Sequence, residues 1–226
     1  SEVLARVPQV AGRISVLPAG VDIPEVDTAL ARRELAERYK ISPDKLFLGI
    51  FSRLVEGKGH ALFFQALQQV KQAGGDFHLW VVGKGDKREH FEKEARELGL
   101  SGEVTFTGFQ TDVTALMAGV DAVCLPSERE PFGYVVLEGM ALGKPVLASA
   151  SGGPLEILKE GEDGILLSPD RPEAWASAII ALAQDGKRRE ELGRAAKLTV
   201  QEKFSQQLMV ERFLEIVDAD SAVGRA

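Results

Sequence analysis

The chain has 226 residues, 45% of them hydrophobic and 27% charged, with a formal net charge of −7. That composition suits a soluble globular protein of one large domain or two small ones, and the acidic balance argues against a general nucleic-acid binder. The single cysteine, Cys124, cannot form an internal disulfide and sits in an apolar run, so it reads as a small buried hydrophobe. With no disulfide framework, no signal peptide and no apolar stretch near the roughly 20 residues of a membrane helix, a cytoplasmic location is the default expectation. A peripheral membrane contact stays open.

Ser1–Gly12 opens the chain without an initiating methionine, and "RISVLPAGVD" then reads as a strand running into a turn. An opening of that kind is expected of a fragment. Asp27–Tyr39 follows as a helix. Beyond it, short apolar runs alternate with amphipathic stretches. Leu46–Ser52, Phe77–Gly83, Glu103–Gly108, Val120–Ser127, Lys144–Ala150 and Gly164–Ser168 read as strands. Most are continuously apolar, as strands covered on both faces are. The helical patterns between them are Gly59–Gln72, Asp86–Leu98, Thr111–Ala118, Gly133–Leu142 and Pro154–Lys159. Such alternation predicts right-handed βαβ units. The expected fold is α/β, a doubly wound, Rossmann-like parallel sheet. A helical C-terminal extension, Pro172–Val217, has breaks near Gly186 and Phe204.

Ligands of such sheets bind beyond the carboxyl ends of the strands, so chemistry is sought there. After the first run comes "RLVEGKG", where Arg53 and Lys58 lead into a helix between glycines 57 and 59. Two cations and free helix-start N–H groups suit a phosphate or diphosphate; the alternative is solvated surface charge. "GKGDKR" after the second run lacks a third fingerprint glycine, Arg88 standing in its place, so a dinucleotide site is rejected. Gly83 and Gly85 read as a tight turn that lines the ligand. Gly108, Phe109 and Gln110 could meet a flat ring. In "SGGPLEI", Gly152 and Gly153 either offer bare amides to an anion or are ordinary turn chemistry, and Pro154 suits a helix start.

"EREPFGYVVLEGM" carries two acids. Glu130 falls on the turn after the fourth run, Val120–Ser127, and Glu138 within the helix that Gly133 opens. At eight residues' spacing they project within about 80° of one another, at different depths along a ligand crossing the helix start. Carboxylates accept from the paired hydroxyls of a sugar or ribose. Cations for a diphosphate and acids for hydroxyls together outline a nucleotide-sugar site. For Glu130 alone, a helix-start acid favoured by the dipole is the competing reading.

These motifs, with "SRLVEGKG", "VVGKGD", "VTFTG" and "SGGPLEI…DGILL" in this order, resemble the C-terminal, donor-binding half of a GT-B glycosyltransferase. The nearest likeness is to family 4, the large retaining group, over Ile14–Val217. The resemblance implies residues 1–20 as an interdomain connector with the first strand, 21–226 as the donor domain, and an acceptor-binding N-terminal domain not present in this chain. "VLPAGVD" is similar to the family's connector, with Ala19 where asparagine is usual. The implied enzyme is a retaining hexosyltransferase, its isolated half inactive without the other. The implied substrate is a nucleoside diphosphate sugar, UDP foremost, with no metal and no other cofactor.

The resemblance also assigns roles. Arg53 and Lys58 hold the diphosphate and stabilise its leaving charge. Glu130 sits by the transferred sugar, and these three are the candidate catalytic residues. Glu138 binds the ribose. Phe132, Gly133 and Tyr134 form the turn at sugar and phosphate, with Gly83 beside them. Gly108 and Phe109 wall the base. Glu138 is thus expected to act on binding and Glu130 on chemistry. The histidines His60, His78 and His90 are scattered, and His60 is expected at the surface of a helix start. The rivals are a glycoside hydrolase using the two acids, a nucleotide-sugar epimerase on a related fold, and a nucleotide-binding module without chemistry.

Overall fold

The structure, a computed structural model, describes residues 14–223. The opening twelve residues and the first residue of the expected leading strand lie outside it. Of the remainder of that strand, residues 14–20 take no regular conformation, and Val21 forms only an isolated parallel bridge to Ser205. The Val21 N–H donates to the Phe204 carbonyl at 2.9 Å, and the Gln206 N–H to the Val21 carbonyl at 3.0 Å. The connector is thus strapped to the break between two C-terminal helices rather than to the sheet.

Helix α1 (Thr28–Tyr39) starts where the Asp27 carboxylate accepts from the Leu30 N–H at 2.9 Å, an N-cap that satisfies one orphan donor. The alternating pattern then folds as β1 (Leu46–Phe51), α2 (His60–Gln72), β2 (Phe77–Val82), α3 (Arg88–Glu97), β3 (Val104–Gly108), α4 (Thr114–Gly119), β4 (Ala122–Leu125), α5 (Tyr134–Ala141), β5 (Val146–Ser149), α6 (Pro154–Ile157) and β6 (Ile165–Leu167). Helices α7 (Pro172–Gln184), α8 (Gly186–Lys203) and α9 (Gln206–Val223) complete the extension. The breaks fall where expected. At the first, Asp185 caps α8 by accepting from the Arg188 N–H.

The sheet is wholly parallel, in the order β3-β2-β1-β4-β5-β6. Its apolar runs divide by parity. Leu46, Leu48, Ile50, Phe77, Leu79, Val81, Ala122 and Cys124 join the core under α2, α3 and α7. Phe47, Phe51, Trp80, Val82, Val123 and Leu125 join the core under α1, α4 and α5. Burial on both faces explains why the central strands read as unbroken apolar runs. Cys124 is fully buried, and burial raises the pKa of its thiol. The edge strands β3 and β6 are only half-buried.

The chain leaves β1 toward β2 and β3 on one side, then returns to place β4 on the other. That reversal is the topological switch point, where a crevice opens at the strands' carboxyl ends. The loops after β1 and β4 form its two lips. Among the described residues no helix is long and apolar enough to cross a membrane.

Candidate functional site

Two clefts adjoin at the switch point. The larger, about 810 Å³, is lined by Phe51, Val55, Val82, Phe109, Val113 and Val135, with the Glu138 carboxylate among them. The smaller, about 270 Å³, is lined by Lys58, Glu130, Pro131, Phe132, Gly133 and Tyr134. Phe51, Ser52, Arg53 and Val135 line both. Arg53 therefore stands where the apolar cleft meets the charged one. Its side chain is exposed and makes no ion pair or hydrogen bond among the described residues.

Lys58 is different. Its Nζ lies 2.7 Å from Glu130 Oε2, with the two side chains only 18% and 14% exposed. This ion pair spans the crevice between the two lips. The Glu128 N–H donates to the Gly57 carbonyl at 2.9 Å, fastening the same loops through the backbone. Glu130 is thus ion-paired to one of the two cations that the sequence singles out.

The turn before α5 requires its glycine. Gly133 has φ 97°, a left-handed conformation that side chains resist. The N–H groups of Gly133, Tyr134 and Val135 head the helix without a hydrogen-bond partner among the described residues, as first-turn donors do. Phe132 and Tyr134 meet edge to face, with centroids 5.0 Å apart and Tyr134 exposed.

Of the glycine pair after β5, Gly153 spends its amide inside the protein. The Gly153 N–H donates to the Glu130 carbonyl at 2.8 Å, and Ser151 Oγ donates to the Glu128 carbonyl at 2.7 Å. A Cβ on Gly153 would fall 1.9 Å from the Phe132 oxygen. Gly153 is therefore a buttress under the Glu130–Phe132 loop, whereas the Gly152 N–H has no hydrogen-bond partner among the described residues.

Gly83 and Phe109 line the large cleft, as does Gly85. Gly108 does not line it; its carbonyl accepts from the Gly83 N–H at 2.9 Å and ties the ends of β2 and β3 together. Phe109 is exposed, and the Lys84 ammonium lies over its ring at 4.9 Å. Lys84 was missed in the sequence, although a strand-end cation beside two glycines was a usable signal. Glu138 is half-buried, and desolvation raises its pKa. It also borders a third cavity of about 470 Å³, with Asp22, Thr114 and Gln206.

His60 overturns its expectation. It is 1% exposed, stacked on Phe91 at 4.6 Å, and its Nε2 lies 3.3 Å from Ser52 Oγ. Burial first, and the Lys58 charge second, lower its pKa to about 4. His78 is buried too, 2.8 Å from Thr105 Oγ1, and burial likewise lowers it to about 4. His90 is exposed. Among the described residues no group of three or more His, Cys, Asp or Glu is placed to hold a metal ion.

The switch-point crevice thus brings a cation to the junction of an apolar and a charged cleft, where ligands of such sheets bind. Residues 31–199 match the family model of the group 1 glycosyl transferases, and the chain belongs to that family. It is similar to the lipopolysaccharide core biosynthesis glycosyltransferase LpsE of Rhizobium meliloti (strain 1021), at 29% identity, over 95% of this chain and 63% of that protein. Its fold matches Anabaena Alr3699/HepE, solved in complex with UDP and glucose. That match has a TM-score of 0.80 and 27% identity, over 88% of this chain and 55% of the other. It also matches the C-terminal domain of a group 1 glycosyl transferase (LpcC) from Francisella tularensis. There the TM-score is 0.69 and the identity 27%, over 80% of this chain and the whole of that one. The chain spans about half the length of the curated relatives it matches.

Proposed function

We propose that this chain is the donor-binding half of a retaining glycosyltransferase that takes its sugar from a nucleoside diphosphate sugar, UDP being the favoured nucleotide. The observation that carries the reading is the meeting of the two clefts at Arg53. The large apolar cleft suits a base and ribose, with Phe109 as a wall and the Glu138 carboxylate accepting from the ribose hydroxyls. The small one suits diphosphate and sugar, between Lys58, Glu130 and the amides that head α5. UDP and glucose in the Anabaena neighbour support the choice of nucleotide and of a hexose donor.

In the transfer, the bond between the anomeric carbon and the phosphate oxygen breaks, and a bond to the acceptor hydroxyl oxygen forms on the same face. The acceptor proton passes to the leaving phosphate oxygen. Arg53 and Lys58 stabilise the charge that grows on the diphosphate, an electrostatic contribution made mainly in the transition state. These cations serve the phosphates without a metal. A hydrolase would need both acids to flank one glycosidic bond, whereas here Glu130 and Glu138 line different clefts. Because the chain matches only about half to two thirds of each relative's length, the acceptor side belongs to sequence outside this chain, and the isolated half binds donor without turning it over.

Calorimetric titration of the chain with UDP, GDP and ADP in parallel tests the reading. The expected result is binding in the range of about 10 µM to 1 mM, strongest for UDP. No heat and no thermal stabilisation from any of the three at millimolar concentration would overturn it.

A further inference from the structure

The Lys58–Glu130 pair has a consequence for which ligand the site retains, an inference that rests on the donor-binding reading. The ammonium that a phosphate would use is already met, at 2.7 Å, by a carboxylate on the opposite lip. Both side chains are largely shielded from solvent, so salt screens the pair poorly. Glu130 also cannot retreat far. Its carbonyl is held by the Gly153 N–H, and its loop by Ser151 Oγ and the Glu128 N–H. Among the described residues Arg53 has no such acid, so the two cations of this site are not equivalent.

We propose that Glu130 is an internal competitor for the phosphate-binding lysine and thereby weakens retention of a bare nucleoside diphosphate. A phosphate reaching Lys58 must share the ammonium with Glu130 or draw it away, and either way it meets a second anion, the carboxylate, in a cleft of about 270 Å³. Like charges so placed in a partly desolvated site repel. A ligand that carries hydroxyls next to its phosphates gives the released carboxylate new donors. The spent diphosphate carries none there, so the pair disfavours the product over the intact donor. Arg53 makes first contact with either ligand, and Lys58 is engaged only at the cost of its own ion pair.

The test uses UDP, inorganic pyrophosphate and uridine as probes, titrated into the wild-type chain, Glu130→Gln, Lys58→Ala and the double variant. Glu130→Gln keeps the side chain's shape; Glu130→Ala, read alongside, should move UDP affinity in the same direction. The expected result is that Glu130→Gln tightens UDP and pyrophosphate by about fivefold and leaves uridine unchanged. In the Lys58→Ala background the gain should shrink below about twofold. Unchanged or weaker UDP binding by both Glu130 variants overturns the inference. So does an equal gain with and without Lys58, which would mean simple repulsion in place of competition. If UDP binds none of the proteins, the donor-binding reading itself has failed.

Discussion

Acid should destabilise this chain through His60 well above the pH at which carboxylates protonate. The imidazole is buried at the first position of α2, stacked on Phe91 and two residues from the Lys58 ammonium. Burial and that neighbouring charge both disfavour the imidazolium, as does the positive end of the helix dipole. The pKa falls from 6.5 to about 4. Between those values the unfolded chain binds more protons than the folded one, so stability drops as pH falls through that window. It is fully retained above about pH 6.5. At about 1.4 kcal/mol per pKa unit, the loss attributable to His60 by pH 4 is on the order of 3 kcal/mol, a large share of a typical domain's margin. Guanidinium unfolding at intervals from pH 7.5 to 4, on the wild type and on His60→Gln, measures it. Gln keeps a polar head near Ser52 Oγ but does not titrate. The variant is expected to be less stable at neutral pH, with a pH dependence shallower by most of that amount. Parallel pH curves for the two proteins would show that His60 protonates freely in the folded state, and the burial argument would be refuted.

Three further outcomes are expected. Arg53→Ala should weaken UDP at least about tenfold, since it removes charge-assisted hydrogen bonds worth about 1.5–3 kcal/mol. Because the Arg53 side chain is exposed and without a partner among the described residues, the variant's melting temperature should stay within about a degree of wild type; a large drop would mean a structural role. Glu138→Gln should weaken UDP and UMP alike, by several-fold in titration, because one amide oxygen replaces two acceptors. The raised carboxyl pKa means that wild-type UDP binding also fades with acidity earlier than an ordinary carboxylate would allow; binding unaffected by the substitution would remove Glu138 from the ribose. Gly153→Ala drives a methyl into the Phe132 carbonyl and should cost about 1–3 kcal/mol of stability with weaker UDP binding, read by denaturation and titration. Wild-type behaviour would show that the Glu130 loop needs no buttress.

Which elements form, and in what order, was legible in the residues. Runs such as Leu46–Phe51 and Phe77–Val82 are nearly unbroken in apolar residues, Gly49 and His78 excepted, because each parity packs under a different helix layer, and glycine-rich strand ends announce where the crevice must lie. Arg53, Lys58 and Glu130 stood out as candidates because they fall in loops at strand ends, and Glu138 because it lies in the helix that follows one, where ligands of such sheets bind. What lay beyond the sequence were contacts between segments far apart along the chain. Nothing in "EGKG" or "EREPFG" says that Lys58 and Glu130, 72 residues apart, close on one another at 2.7 Å. That distance follows from β4 pairing beside β1. His60 was expected in water because its own segment is polar, yet α3 brings Phe91 over it. Gly153 could have offered its amide to an anion until the fold set the Glu130 carbonyl 2.8 Å away. Periodicity and turn chemistry are local, and a chain carries them before it folds. Burial, ion pairing and pKa depend on which distant segment arrives alongside, and only the packed sheet decides that.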